Sequence, residues 1–320
     1  MDRHGCRTDM RVAAIDIGTN TILLLIAEIQ AGGITTILHD EQVIARLGKG
    51  VDADRVINHE TFQRVESFLL QYKTTCDGFN VDRICAVGTS AVRDAMNRND
   101  FIAFIKEKTG IEIEILSGDD EAQWTYRGGI SEFTGKGERF SVIDIGGGST
   151  EIILGDSTNI HTKVSVDLGS VRITERILKS SPPEIEALIT AHDFITSHIP
   201  KEQVVDIPET FAIGVAGTLT TLAAMHQQLP EYLPGKVSGY VLTAADVGSI
   251  FGLLKDKSPS QIALFPQISA GRADILLAGI MILMGYMEIS GLQQITVSDR
   301  GLRFGIIYRE IENQFNRTPV

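Results

Sequence analysis

The sequence predicts an α/β protein made of two similar halves that face one another across a cleft. Two observations carry this. The chain has 320 residues, more than one compact core usually holds, so two domains are the default. An apolar strand running into Asp-Ile-Gly also occurs twice, in DIGTNT (16–21) and DIGGGST (144–150), each time followed by further strands and then by α/β units. No low-complexity tract or Pro-rich linker parts the halves, so they should touch.

In the first half, the apolar run 11–16 reads as a buried strand entering a tight turn. Strands over 22–30 and 34–39, separated by Gly32-Gly33, complete an antiparallel meander. Phe62, Val65, Phe68 and Leu69 lie at helical spacing and predict an amphipathic helix over 59–75. A strand over 83–87, helices over 90–96 and 99–109, a strand over 111–116 and a helix opening near Ser117-Gly118 follow. The second half repeats the pattern: strands over 141–145, 151–154 and 160–166, helices over 171–178 and 183–197, then a strand over 211–215 leading through Gly217 into a helix over 218–225. An apolar helix over 273–287, a strand over 294–298 and a last helix from Gly301 close the chain.

Composition excludes several function classes. Twenty-nine Lys+Arg against 41 Asp+Glu give a net charge of 29 − 41 = −12, which argues against a sequence-blind binder of nucleic acid or of an acidic membrane surface. An apolar share of 43% with 22% charged residues is that of a soluble globular chain. Cys6, Cys76 and Cys85 are too few and too scattered for a disulfide frame or a zinc site, and read as free thiols in a reducing cytosol. The apolar run Ile275–Met287 is too short to span a bilayer. With no signal peptide evident, the expected location is cytoplasmic.

The two Asp-Gly-hydroxyl loops carry the chemistry. Glycine lets the backbone approach an anion and turn its N–H groups inward, and Thr, Asn and Ser add neutral donors. A single such loop is more often only a hairpin turn; two equivalent loops opening two similar halves point to a phosphate clamp. Asp16, Asp144 and Glu151 stand at or just past strand ends beside the loops, where a hard cation such as Mg²⁺ could use one or two of them. Asp144 is preferred for that role, while Asp16 could equally cap its turn. Asp119, Asp120 and Glu121 fall in the first turn of a helix; acids there complement the helix dipole, and one of them could instead face the cleft and activate a water. Local sequence does not select which. Arg46, Lys49, Arg93, Arg272, Arg300 and Arg303 lie near loops, and solvated surface charge is the default for each. Arg93 and Arg272, beside small residues at element boundaries, are the two taken as phosphate contacts. Neither a Walker A loop nor a GxGxxG fingerprint occurs.

On these residues the sequence resembles the exopolyphosphatase/guanosine pentaphosphate phosphohydrolase (Ppx/GppA) family, of the actin-like ATPase and sugar kinase superfamily. The motifs run in order through AIDIGTNT (14–21), RLGKGV (46–51), VGTSAVRDAMN (87–97), ILSGDDEA (115–122), DIGGGSTEI (144–152), VDLGSVRITE (166–175), GVAGTLTTLAA (214–224), GRADILLAGI (271–280) and VSDRGLRFG (297–305). The resemblance implies two RNase H-like domains with the active site between them: residues 10–121 with 299–320 returning as the last helix, and residues 122–298. It implies release of terminal orthophosphate from inorganic polyphosphate, or of the 5′-phosphate of guanosine pentaphosphate, with Mg²⁺ and a water. Carried over by motif, Glu121 is the catalytic carboxylate, and Asp144 and Glu151 are metal-associated, with Asp16 beside them. The phosphate-binding set becomes Gly18, Thr19, Asn20, Thr21, Arg93, Gly146, Gly147, Gly148, Ser149, Thr150, Gly217, Thr218 and Arg272. Asp119 and Asp120 depart from the glutamates more usual in that motif. The resemblance is to the short, two-domain form. A phosphotransferase of the same superfamily and a low-turnover nucleotide-binding module are the alternatives. The apolar C-terminal helices could support a homodimer, with oligomeric state left open; sequence-specific nucleic acid and membrane are not expected partners.

Overall fold

The computed structural model describes residues 9–231, 233–269 and 271–315; Cys6 and residues 316–320, expected in the first domain, lie outside them. Two sheets organise the chain. The first starts with β1 (Met10–Ile17), paired antiparallel with β2 (Thr21–Gln30), which pairs antiparallel with β3 (Gly33–Ile44). A helical turn α1 (Val51–Asp54) leads to α2 (His59–Gly78), whose cap Asn58 accepts the Thr61 N–H through its side chain. Then β4 (Arg83–Gly88) joins β1 in parallel, α3 (Ser90–Asp94) and α4 (Arg98–Thr109) follow, and β5 (Ile113–Ile115) adds in parallel to β4. Helix α4 stops at Gly110, whose φ of 73° suits a residue without Cβ. The sheet order is β3-β2-β1-β4-β5, and α5 (Gly118–Ile130) leaves it for the second half.

The second sheet repeats that wiring. Strands β6 (Arg139–Ile145), β7 (Thr150–Asp156) and β8 (Ile160–Val166) form the antiparallel meander. After α6 (Ser170–Arg176), α7 (Ile185–His198) and α8 (Lys201–Val204), β9 (Phe211–Val215) joins β6 in parallel. Helices α9 (Ala216–His226) and α10 (Pro234–Val237), strand β10 (Val241–Thr243), helices α11 (Ala244–Leu254), α12 (Pro259–Ile262) and α13 (Leu276–Ser290), and strand β11 (Gln294–Val297) complete it. Its order, β10-β11-β9-β6-β7-β8, is the first sheet's order with β10 added antiparallel at the edge. Helix α13 is buried on nearly every face within one apolar cluster together with α9 and α11, as its unbroken apolar run requires.

The last helix, α14 (Leu302–Phe315), lies on the first sheet, where Leu302, Phe304, Ile306, Ile307 and Ile311 pack with Val12, Ala14, Leu25, Ala27 and Ile29. It also meets α5 at glycines. A Cβ on Gly305 would fall 1.9 Å from Trp124 O, and one on Gly128 2.1 Å from Gly301 O, so the two backbones touch. On its other side α5 sends Ala122, Tyr126 and Ile130 into the second sheet's core. Two features depart from the expectations. Strand β3 runs to Ile44 rather than ending at 39, because HDEQV lacks an apolar run yet pairs fully with β2. The stretch holding α10, β10, α11 and α12 carries no expected element at all.

Candidate active site

The strand ends β1 and β6 bring the two glycine loops face to face. Each loop closes the same way: Gly18 N–H donates to Thr21 O at 3.0 Å and Gly146 N–H to Ser149 O at 3.0 Å. A Cβ would meet Thr21 O at 2.9 Å from Gly18 and Ser149 O at 3.0 Å from Gly146, which explains glycine at both positions. Their carbonyls are drawn back by neighbouring segments. Gly48 N–H takes Thr19 O at 2.7 Å and Arg46 N–H takes Asn20 O at 2.9 Å, while Ser170 N–H and Val171 N–H take Gly146 O and Gly147 O, both at 2.9 Å. The N–H groups of Thr19, Asn20, Gly147 and Gly148 find no acceptor among the described residues, the condition of an anion-binding nest. Thr19 Oγ1 lies 2.8 Å from Ser90 Oγ, and Thr19 packs directly on Gly147.

Between the loops is a cleft of about 310 Å³. Asp16, Gly18, Thr19, Asn20 and Thr21 line it from the first half. Asp144, Gly146, Gly147, Ser149 and Glu151 line it from the second, with Gly217, Thr218 and Arg272 at one end. Glu121 completes it. Of the three acids opening α5, Asp119 and Asp120 are exposed and only Glu121 is buried, so the geometry makes the selection that local sequence leaves open. Arg93 Nη1 donates to Glu121 Oε2 at 2.8 Å and to Leu116 O at 3.0 Å.

Three expected phosphate contacts are not on the cleft wall. Arg93 stands behind Glu121 as its partner. Gly148 faces a small separate cavity with Ser90, Asp94 and Arg172. The Thr150 hydroxyl donates to Leu168 O. Arg272 does reach the cleft, its guanidinium seated on Gly217: Nη1 donates to Gly217 O at 3.2 Å and to Thr221 Oγ1 at 3.1 Å.

Sequence reasoning missed the far wall. Arg303, Asp40, Glu41 and Asp299 also line the cleft, and Arg303 holds Asp40 through Nε at 3.0 Å and Nη2 at 2.8 Å. SDRGLR contains Arg303, yet only the return of α14 to the first sheet carries that arginine to the site. Asp40 sits on the unmarked extension of β3 and gives no local signal.

Burial dominates the electrostatics. It raises Asp16 to about 8, aided by Glu121 and Asp144 and opposed by Arg303. It raises Asp144 to about 7, with Glu121 adding to the effect. Glu151 is pushed well up by burial and then by Glu121 and Asp144, against the Ser165 hydroxyl that donates to its Oε1 at 2.6 Å. Glu121 also lies above the usual range because of burial, with Arg93 opposing. Asp16 Oδ1 is buried and finds no hydrogen-bond partner among the described residues. Among the described residues no group of three or more His, Cys, Asp or Glu side chains is placed to hold a metal ion by itself. An open set of carboxylates with one orphaned oxygen nevertheless fits a magnesium-like cation, which takes one or two carboxylates and completes its shell with phosphate oxygens and water.

The halves are bridged around the cleft. Asn20 Nδ2 donates to Gly271 O at 3.4 Å, Arg46 Nη2 to Asp274 Oδ1 at 3.1 Å and Gly50 N–H to Glu175 Oε1 at 3.1 Å. No helix among the described residues is long and apolar enough to cross a membrane, and Cys76 and Cys85 are free thiols.

Comparison with known proteins agrees with this architecture. Residues 25–314 match the model of the Ppx/GppA phosphatase family. Exopolyphosphatase 2 of Mycobacterium tuberculosis is 35% identical over 92% of this chain and 97% of its own length. Among solved structures, an exopolyphosphatase from Cytophaga hutchinsonii superposes with a TM-score of 0.88 at 28% identity, covering 95% of this chain and 98% of that one. The Aquifex aeolicus Ppx/GppA family member superposes at 0.79 with 30% identity, covering 96% and 99%.

Proposed function

The chain belongs to the Ppx/GppA phosphatase family, and on that premise we propose that it is a divalent-cation-dependent phosphoanhydride hydrolase releasing terminal orthophosphate from inorganic polyphosphate. Guanosine pentaphosphate, whose 5′-terminal phosphoryl group is chemically equivalent, is the second substrate class. The observation that carries this reading is Glu121: a buried carboxylate on the cleft wall, held by Arg93, beside two glycine loops built to bind an anion.

The terminal phosphoryl group lies between the loops, its oxygens accepting from the N–H groups of Thr19, Asn20, Gly147 and Ser149 and from the Thr19 and Ser149 hydroxyls. Arg272 and Thr218 hold the next part of the chain. Asp144 and Glu151, with Asp16 beside them, would hold Mg²⁺, which when bound neutralises charge on the phosphate oxygens. Glu121 orients a water in line with the breaking P–O bond and takes its proton; the carboxyl's raised affinity for a proton brings it closer to what a base needs near neutral pH. Residues 10–121 with 299–320 then act as one wall of the site and residues 122–298 as the other.

The test is phosphate release with Mg²⁺ on long polyphosphate, tripolyphosphate, guanosine pentaphosphate and ATP. Turnover on polyphosphate is expected, with ATP poor. Glu121→Gln should lower kcat about 10²–10⁴-fold while substrate binding persists, and a variant that still turns over at the wild-type rate would remove Glu121 from the mechanism. Asp144→Asn should move the Mg²⁺ titration; an unchanged titration takes that residue out of the cation site.

A further inference from the structure

Behind the second glycine loop, one buried arginine ties together parts of both halves. Ser170 N–H donates to Gly146 O at 2.9 Å, Val171 and Arg172 N–H to Gly147 O at 2.9 and 3.2 Å, and Arg172 Nε to Gly148 O at 2.9 Å. In a trans peptide the carbonyl of one residue and the N–H of the next point in opposite directions. Drawing back three successive carbonyls therefore turns the N–H groups of Gly147, Gly148 and Ser149 the other way. Two of those carbonyls are held by backbone, but Gly148 O is held by the Arg172 side chain.

The same guanidinium crosses to the other half. Arg172 Nη2 lies 3.1 Å from Asp94 Oδ2, with Asp167 Oδ1 at 3.6 Å on its own side. Asp94 follows Arg93 in α3, and Arg93 holds Glu121. Arg172 is 7% exposed, so water competes little for the pair. Around it Thr19, Ser90, Gly147 and Gly148 enclose the small cavity behind the loops.

We propose that Arg172 is a positioning residue for the hydrolysis, acting through Gly148 on the N–H of Ser149 and through Asp94 on the spacing between this loop and the Arg93–Glu121 pair. Arg172 lies behind the loop, off the cleft wall. Its work is to make the phosphate nest and the base a single rigid unit, although they belong to different halves. The inference rests on the hydrolase reading above.

The experiment compares wild type, Arg172→Met, Asp94→Asn and the double variant by kcat and KM for tripolyphosphate hydrolysis with Mg²⁺. Melting temperature and calorimetric affinity for tripolyphosphate are measured on the same preparations. Arg172→Met should raise KM and lower kcat, with kcat/KM falling about 10²-fold, the loss expected from roughly 1 Å of misplacement. Asp94→Asn, which keeps the side chain's shape, should lose about 10-fold. The double variant should be no worse than Arg172→Met, because both changes break one linkage. Loss of folded enzyme lowers kcat alone, so the rise in KM separates loop misalignment from instability. Wild-type constants in both single variants, or losses that multiply in the double, overturn the proposal. If Arg172→Met does not fold, Asp94→Asn decides alone, and unchanged constants there overturn it. If wild type releases no phosphate the hydrolase reading fails; affinity then tests the loop, and equal affinity in wild type and Asp94→Asn overturns this inference.

Discussion

Arg93 Nη1 lies 2.8 Å from Glu121 Oε2, so the arginine expected at the phosphate holds the buried carboxylate beside the loops. Burial pushes the Glu121 carboxyl up and Arg93 is the largest influence holding it down. Arg93→Gln should therefore raise the Glu121 pKa further, and the acid limb of the kcat/KM profile should move to higher pH. A pH-rate series on the two proteins checks this; a limb that stays in place would mean that Glu121 is not the group being titrated.

The acids of the cleft make a second prediction, about stability. Asp16 and Asp144 have folded values of about 8 and about 7 against 3.8 when unperturbed. The folded metal-free chain thus binds more protons than the unfolded one. Their contribution is fully present below about pH 4 and is lost as pH rises through 7 and 8. Melting temperature in chelator should fall between pH 6 and pH 9, and Mg²⁺ should flatten that slope by replacing the protons. Scanning calorimetry with and without the cation reads it directly, and parallel curves would contradict a cation bound at these carboxylates.

Gly217 lets Arg272 lie flat on the start of α9. A Cβ there would sit 2.4 Å from Arg272 Cζ, so Gly217→Ala should push the guanidinium off its seat. KM for polyphosphate is expected to rise about 10-fold, the scale of one hydrogen bond to a charged group, with little change in melting temperature. An unaltered KM would leave Arg272 without a part in binding.

Backbone contact between α5 and α14 predicts a structural lesion with a catalytic readout. Gly305→Ala places a methyl against Trp124 O and should cost about 1–3 kcal/mol as overpacking. Because α5 carries Glu121 at its first turn, kcat should fall more than the folded fraction does. Denaturant melts paired with rates distinguish the two effects.

Much of this site was legible in the sequence because its loops combine residue types that few other settings require together. Glycine after Asp-Ile, followed by hydroxyl side chains, marks a close backbone turn, and its recurrence marked the duplicated sheet. Glu121 was among three adjacent acids, and helix periodicity near a cap does not reveal which of them turns inward. The placements of Arg93 and Arg303 escaped sequence reasoning for a different reason. One is drawn to a carboxylate 28 residues away, the other delivered by a helix whose sheet partners lie near the chain's start. Both depend on long-range packing, which local residue type does not encode. Strand β3 escaped full notice because an edge strand can be polar along its length.

The packing of α14 on β1 and β2 has a consequence for biosynthesis. Val12, Ala14, Leu25, Ala27 and Ile29 are covered by residues 302–311, which a ribosome adds more than 270 positions later. At about 5–20 residues per second, the first half waits on the order of tens of seconds with that apolar face uncovered. Arg303 and Asp299 join the cleft only when this helix docks. The cleft therefore stays incomplete, and the apolar face of β1 and β2 open to chaperones, until residues 302–311 have been added.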